Sequence, residues 1–295
     1  MNSVYTLRSL LSATAITLAT ATLSYAGQDV AVSKNVTAVE EEPVPVVHPL
    51  TAPYFDEDAF VTTDLRAWYA HQTLNNSLLG SGHATVAAVQ ARVAILKNLQ
   101  FVAYKDGWVD INTPGLRKNG WNNLAAGLKY AFVQDTKDRF FAAVGAGYEF
   151  ASGSRNVLQD YDELRFWTSL NKGFGRLNLG AAFNYFVPLH NGDPLLGTSQ
   201  HLSWHLHADY AVCSWFSPVF EVNGYHVIDS HDSVPISAAD ISNFDGNTNE
   251  PVITAAVGAE FRPVSHLAVR GAWEKPLNDA KLFGERVTLS AVVSF

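Results

Sequence analysis

A chain of 295 residues that is 47% hydrophobic has too much apolar matter for a disordered polymer. Its charged fraction of 16% is also well short of the roughly 25% usual in soluble domains. Twenty Lys and Arg against 28 Asp and Glu leave a net charge of -8, which excludes a basic surface for nucleic acid. The single Cys213 excludes an internal disulfide framework and any multi-cysteine metal site. Such a composition belongs to a very large core or to a surface that faces lipid.

Residues 1–26 have the form of a signal peptide. Arg8 gives a weakly basic start, an apolar stretch of small residues runs from Ser9 to Leu23, and Ser24-Tyr25-Ala26 places small residues where a peptidase needs them. Cleavage is expected before Gly27. Residues 27–59 then read as a periplasmic linker or tail, with Glu40, Glu41 and Glu42 followed by Pro43, Pro45, Pro49 and Pro53. Proline at that density disfavours regular ladders and favours an extended spacer; a tether or a short plug are the functional alternatives.

From residue 60 to 295 the hydrophobic period is two, which predicts strands. Twelve runs follow: 60–71, 84–95, 100–108, 121–133, 139–150, 164–171, 176–187, 201–211, 216–227, 251–261, 267–274 and 286–295. The links between them alternate between short (96–99, 134–138, 172–175, 212–215, 262–266) and long (72–83, 109–120, 151–163, 188–200, 228–250, 275–285). A soluble sandwich has no reason to keep all its long loops at one end. An up-and-down barrel across an outer membrane does.

The two faces of the runs carry different chemistry. Along 201–211, Leu202, Trp204, Leu206, Ala208 and Tyr210 alternate with Ser203, His205, His207 and Asp209. The last run sets Val287, Leu289, Ala291 and Val293 against Arg286, Thr288, Ser290 and Ser294. A charge facing lipid at mid-depth costs about 2–4 kcal/mol, and eleven of the twelve apolar faces carry none. The exception is 100–108, where facing Phe101 and Ala103 outward also sends Lys105 outward, to snorkel at a rim. Aromatic residues gather near both ends of the apolar faces, as bilayer interfaces select. The fold expected is an all-β, antiparallel, transmembrane up-and-down barrel of about twelve strands.

Phe295 closing an alternating amphipathic strand resembles the C-terminal signature by which bacterial outer-membrane barrels are recognised for assembly. The stretch Arg92 to Phe101 running into Tyr104-Lys105-Asp106-Gly107 resembles the second hairpin of transporter-like barrels associated with phenol-degradation meta-pathway operons. These resemblances imply contact with the barrel-assembly machinery and passage of small, aromatic or neutral solutes.

Parity places Asp64, Arg66, Arg92, Lys129, Glu149, Arg165, Asp209, Glu221, Glu260, Arg270, Glu274 and Arg286 inside, with His205 and His207. That lumen is balanced in charge, without the one-signed ladder of an anion-selective pore. Register suggests the cross-strand pairs Glu149–Arg165 and Glu274–Arg286, either stiffening the wall or forming a constriction, and sets His207 opposite Glu221. That last trio with Asp209 can form a pH-responsive gate, a metal site or ordinary lumen hydrogen bonds. The acidic loop 228–250 does not have EF-hand spacing. No catalytic motif is present, although His226 faces outward at the height a lipid hydrolase would use. No cofactor is expected. The partners expected are outer-membrane lipid, lipopolysaccharide and small solutes. Three functions fit: a narrow channel or transporter, a closed barrel with a structural or surface role, and a membrane-embedded lipid hydrolase.

Overall fold

The computed structural model describes residues 46–74, 80–157, 159, 161–189, 199–229, 251–279 and 283–295. They form fourteen strand segments: β1 (Asp64–Leu74), β2 (Gly82–Leu96), β3 (Leu99–Lys105), β4 (Trp108–Asn112), β5 (Arg117–Trp121), β6 (Leu124–Asp135), β7 (Phe140–Phe150), β8 (Glu163–Phe174), β9 (Leu177–Pro188), β10 (Gln200–Tyr210), β11 (Phe216–Asp229), β12 (Val252–Val264), β13 (Leu267–Pro276) and β14 (Arg286–Ser294). All neighbours are antiparallel, and β1 pairs with both β2 and β14, so the sheet closes on itself. The result is a closed twelve-stranded barrel.

Fourteen segments make twelve wall strands because two strands are interrupted at the same height. β3 and β4 both pair with β2, while β5 pairs with β4 and β6 with β3. The break falls at Asp106-Gly107 on one strand and Asn122-Asn123 on the next. Gly107 has φ +116 and a Cβ there would meet the Ala88 Cβ at 2.7 Å, so this position needs glycine. Two bonds repair the gap: Asn122 N–H donates to Gly107 O at 2.8 Å and Val89 N–H to Asp106 Oδ2 at 3.3 Å. The 109–120 stretch, expected to be a loop, is therefore mostly wall. Its alternation is too brief and too polar at Arg117–Asn119 to be recognised as such.

The ambiguity at Lys105 resolves through a register shift. Ala103 pairs with Ala126 but Lys105 with Ala125, so an irregularity turns the lysine inward, where it is buried. The outer face carries exposed Leu65, Tyr69, Leu128, Tyr130, Phe166, Leu170, Leu206, Val257, Val287 and Leu289. Exposed apolar residues around the wall are what a barrel solvated by hydrocarbon displays, and a soluble monomer does not. The core of this molecule is accordingly its lumen.

Candidate functional site

Residues 46–59, expected as part of an extended spacer or a short plug, run inside the barrel together with 60–63, which are expected to begin the first strand but precede β1, which starts at Asp64. Val47, His48, Leu50, Thr51, Ala52 and the whole of Tyr54–Phe60 are buried. The spacer expectation is therefore corrected over 46–59; residues 27–45 lie outside the described residues. The prolines do prevent a ladder, as expected. Strand side chains, not a ladder, satisfy this backbone instead.

The segment forms an inverted U. Its first limb starts near the short-turn end, where Arg262 donates to Val46 O at 2.8 Å. It climbs past β11, where Glu221 accepts from Leu50 N–H and Thr51 N–H, both at 2.8 Å, and from the Thr51 hydroxyl. The chain turns at Ala52, whose carbonyl accepts from Phe55 and Asp56 N–H. The second limb descends through Glu57, which is paired with Arg92, and Asp58, which faces Lys129 at 3.4 Å. Ala59 N–H donates to Asn171 Oδ1 at 2.8 Å. His48 Nδ1 meets Asp58 Oδ2 at 2.5 Å, tying one limb to the other.

At the apex, aromatic chemistry replaces ion pairing. The Phe55 ring packs edge-on to Phe186 and Tyr225, each at 5.5 Å between centroids, and stacks on His205 at 6.4 Å. Tyr54 packs against Trp68 at 4.9 Å, and its hydroxyl donates to Asp106 O at the wall break. Around these two rings a continuous apolar cluster includes Ala70, Leu74, Val86, Val109, Ile111, Val252 and Phe283. The strand residues among these lie toward the long loops, and Phe283 belongs to the link between β13 and β14.

Each lumen residue expected from parity is buried: Arg66, Arg92, Lys129, Glu149, Arg165, His205, His207, Asp209, Glu221, Glu260, Arg270, Glu274 and Arg286. Register confirms Glu274 opposite Arg286, joined at 2.7 Å, and His207 opposite Glu221, joined at 2.8 Å. The second nitrogen of His207 faces Asp209 at 3.1 Å. His207 thus orients Glu221, the carboxylate that grips the first limb. Glu260 pairs with Arg270 at 2.9 Å. His205 instead meets the Asn223 side chain at 2.7 Å, and Asn223 connects Thr51 with Glu274.

The Glu149–Arg165 pair does not form. Gly147 is the residue opposite Arg165, and Glu149 faces Glu163, two positions away from the expected register. Glu149 takes Lys105 at 2.5 Å instead. Arg165 turns to the inserted apex, donating to Tyr54 O at 2.8 Å and Phe55 O at 2.6 Å. Sequence reasoning missed Glu57 and Asp58 as functional groups, though a signal existed. Arg92 and Lys129 face Asp64 and Gln100 across the ladder, which leaves more positive charge than neighbouring strands neutralise.

Phe295 is exposed beyond β14. The outward His226 is exposed, and among the described residues no hydroxyl or carboxylate hydrogen-bonds to it. Of the acidic loop, 230–250 lies outside the described residues. Among those described, no group of three or more His, Cys, Asp or Glu is arranged to hold a metal ion.

No protein-family model and no curated protein matches the chain. Solved structures do. An outer-membrane channel from Pseudomonas putida F1 superposes with a TM-score of 0.59 at 13% identity, covering 85% of this chain and 100% of that one. The NanC porin gives 0.51 at 14% identity, covering 79% and 99%. At these identities the likeness is one of fold, and the chain shares its barrel architecture with outer-membrane channels.

Proposed function

We propose that this chain is an exported outer-membrane channel for small apolar or aromatic solutes, held closed by its own residues 46–63. The observation that carries the reading is the loop-end lining. A path for sugars or phosphate needs polar or one-signed groups along it, whereas here Trp68, Val86, Ile111, Phe186 and Tyr225 surround the apex of the inserted segment. Phe55 sits among aromatic rings as a small aromatic solute would. The solute class implied by the resemblance to phenol-degradation barrels agrees with this lining.

The reading includes removal of residues 1–26, recognition of Phe295 by the barrel-assembly machinery, and lipid and lipopolysaccharide around the belt. A second reading, a closed barrel with a structural or surface role, is favoured by the same inserted segment, because its ion pairs fill the short-turn half. Planar-bilayer recording of the folded protein separates the two. Brief conductance steps, blocked from the loop side by benzyl alcohol and not by glucose, are expected of the channel. Steady silence together with no binding of benzyl alcohol would leave the structural barrel.

A further inference from the structure

Arg165 stands apart from the other lumen arginines. Arg66, Arg92, Arg262, Arg270 and Arg286 each lie within 4.0 Å of a carboxylate. Arg165 is 1% exposed, and among the described residues no carboxylate reaches it. Its guanidinium is instead framed by aromatic faces, with Tyr104 at 4.7 Å, Trp167 at 4.8 Å and Phe186 at 5.6 Å. The Asn184 amide oxygen fixes its orientation by accepting from Nε at 3.0 Å and from Nη2 at 2.7 Å. The Nη1 and Nη2 donors are left for the carbonyls of Tyr54 and Phe55. Neutral carbonyls are weak partners for a buried cation compared with a bidentate carboxylate.

The group that fills this site is chemically informative. From ring to carbonyl, Phe55 is a 3-phenylpropanoyl unit, with its ring among Phe186, Tyr225 and His205 and its carbonyl oxygen on Arg165. We propose that the Phe55 unit is an internal stand-in for an aryl-alkanoic acid, and that such a solute opens the barrel by placing its carboxylate on Arg165 in place of the Tyr54 and Phe55 carbonyls. This rests on the channel reading above and sharpens it to a substrate class. Displacing both carbonyls removes the Arg165 tie on the Ala52–Phe55 turn and leaves it held to the wall by Gln90 on the Pro53 carbonyl and by Asp106 and Asn122 on the Tyr54 hydroxyl. Burial, with the Glu221 charge added, holds the carboxyl of Asp56, the next residue, above the usual carboxylate range, which lessens its repulsion of the incoming anion, and the charge of Glu57 is met by Arg92.

The test compares 3-phenylpropionate with its neutral amide, 3-phenylpropanamide, on the full protein in detergent and in planar bilayers. The acid is expected to bind about ten- to a hundredfold tighter, the range for hydrogen bonds to a charged partner. In a Cys213→Ser background, the acid is also expected to speed maleimide labelling of an Ala52→Cys variant at the apex, while the amide leaves it slow. Arg165→Met is expected to erase the preference and Arg165→Lys to retain part of it. The comparison of acid and amide needs no substitution, so a folding failure of either variant leaves the proposal open to refutation. Equal binding of acid and amide, or a preference that survives Arg165→Met in folded protein, overturns the carboxylate site and leaves the apolar channel standing. If neither compound binds or alters the current, while benzyl alcohol also fails to block, the channel reading itself fails.

Discussion

The two halves of the lumen hold the same inserted segment by different physics. In the short-turn half, its limbs are fixed by charge: Glu57 on Arg92, Asp58 between His48 and Lys129, and the first limb's amides on Glu221. In the loop half, the apex is fixed by burial of Tyr54 and Phe55 among apolar and aromatic side chains. The charges present at that height are paired within the wall, as Glu274–Arg286 and Lys105–Glu149, apart from Arg165. Ion pairs in a dry lumen are demanding about geometry and fix a register, whereas apolar contacts tolerate exchange of one occupant for another. On the channel reading, the short-turn half is the lock and the loop half the part that trades its occupant.

Breaking one pair in the inserted segment and one in the wall gives the largest expected effects, with different outcomes. Glu57→Ala leaves Arg92 in a dry site with Asp64, at 4.0 Å, as its remaining carboxylate, a cost of at most about 3–5 kcal/mol. The inserted segment can avoid that cost by leaving, so open-channel current in planar bilayers is expected to rise while the barrel still resists unfolding. Glu274→Ala imposes a similar cost on Arg286, which the wall cannot escape. Its melting temperature is expected to fall, with far less change in current. A fall in melting temperature for both, without added current in Glu57→Ala, would mean that the segment is an inseparable part of the wall's core.

The apolar half is probed by Phe55→Ala, which removes a buried ring at a cost of about 3 kcal/mol if its surroundings do not collapse. Closure is expected to weaken less than in Glu57→Ala, because the limb pairs remain. Block by benzyl alcohol is expected to strengthen, since the space left among Phe186, Tyr225 and His205 suits the added ring. Unchanged block would separate the aromatic cluster from solute binding.

Much of this architecture was legible in the alternation alone. Charge is costly in lipid, so parity sorted Arg92, Lys129, Glu221 and Arg286 inward without any knowledge of their partners. Partners were legible where the register counted from the turn held, as for His207 and Glu221 across a short link and Glu274 and Arg286 across a long one. Across the longer 151–163 link the register slipped by two, and Glu149 lost Arg165 to Lys105. The inserted segment was hidden for a different reason. Its backbone is satisfied by side chains from distant strands, so it has no periodicity of its own, and its prolines read equally as spacer or plug.

Acidification tests the lock between the limbs, with a smaller effect. Burial pushes the His48 imidazole below its ordinary 6.5, and Asp58 only partly restores it. Burial alone would raise Asp58, but His48, Lys129 and Arg66 outweigh it and hold that carboxyl well below the usual range. The inserted state thus favours neutral His48 and ionised Asp58. A His48 released to water takes up a proton as pH falls through about 6.5, so this stabilisation is full above 6.5 and declines below it. The Asp58 contribution persists until about pH 4 and is lost only below that. Between pH 6.5 and 5 the current is expected to rise more in the natural protein than in His48→Gln, which removes the titrating group. Asp56 has its pKa shifted upward and acts in the opposite sense, but it is common to both proteins and cancels in their difference. An identical pH profile in His48→Gln would move the lock elsewhere, with His207 between Asp209 and Glu221 the next group to substitute.

The smallest expected effect is that of salt, and it bears directly on why the short-turn half locks. Raising ionic strength from 0.1 to 1 M shortens the screening length from about 10 to about 3 Å. Surface ion pairs weaken under that change, but Glu57, Asp58, Arg92 and Lys129 are each 1% exposed or less at the side chain, and mobile ions have no room to stand between them. Closed-state occupancy, measured as open probability at fixed voltage, is therefore expected to change by less than about twofold, within the modest effects screening has on dry pairs. A steep rise in opening with salt would mean that water and ions already reach the limbs. The charged half would then be a hydrated filter, and closure would rest on the aromatic apex alone. In that case Phe55→Ala, and not Glu57→Ala, would produce the larger current.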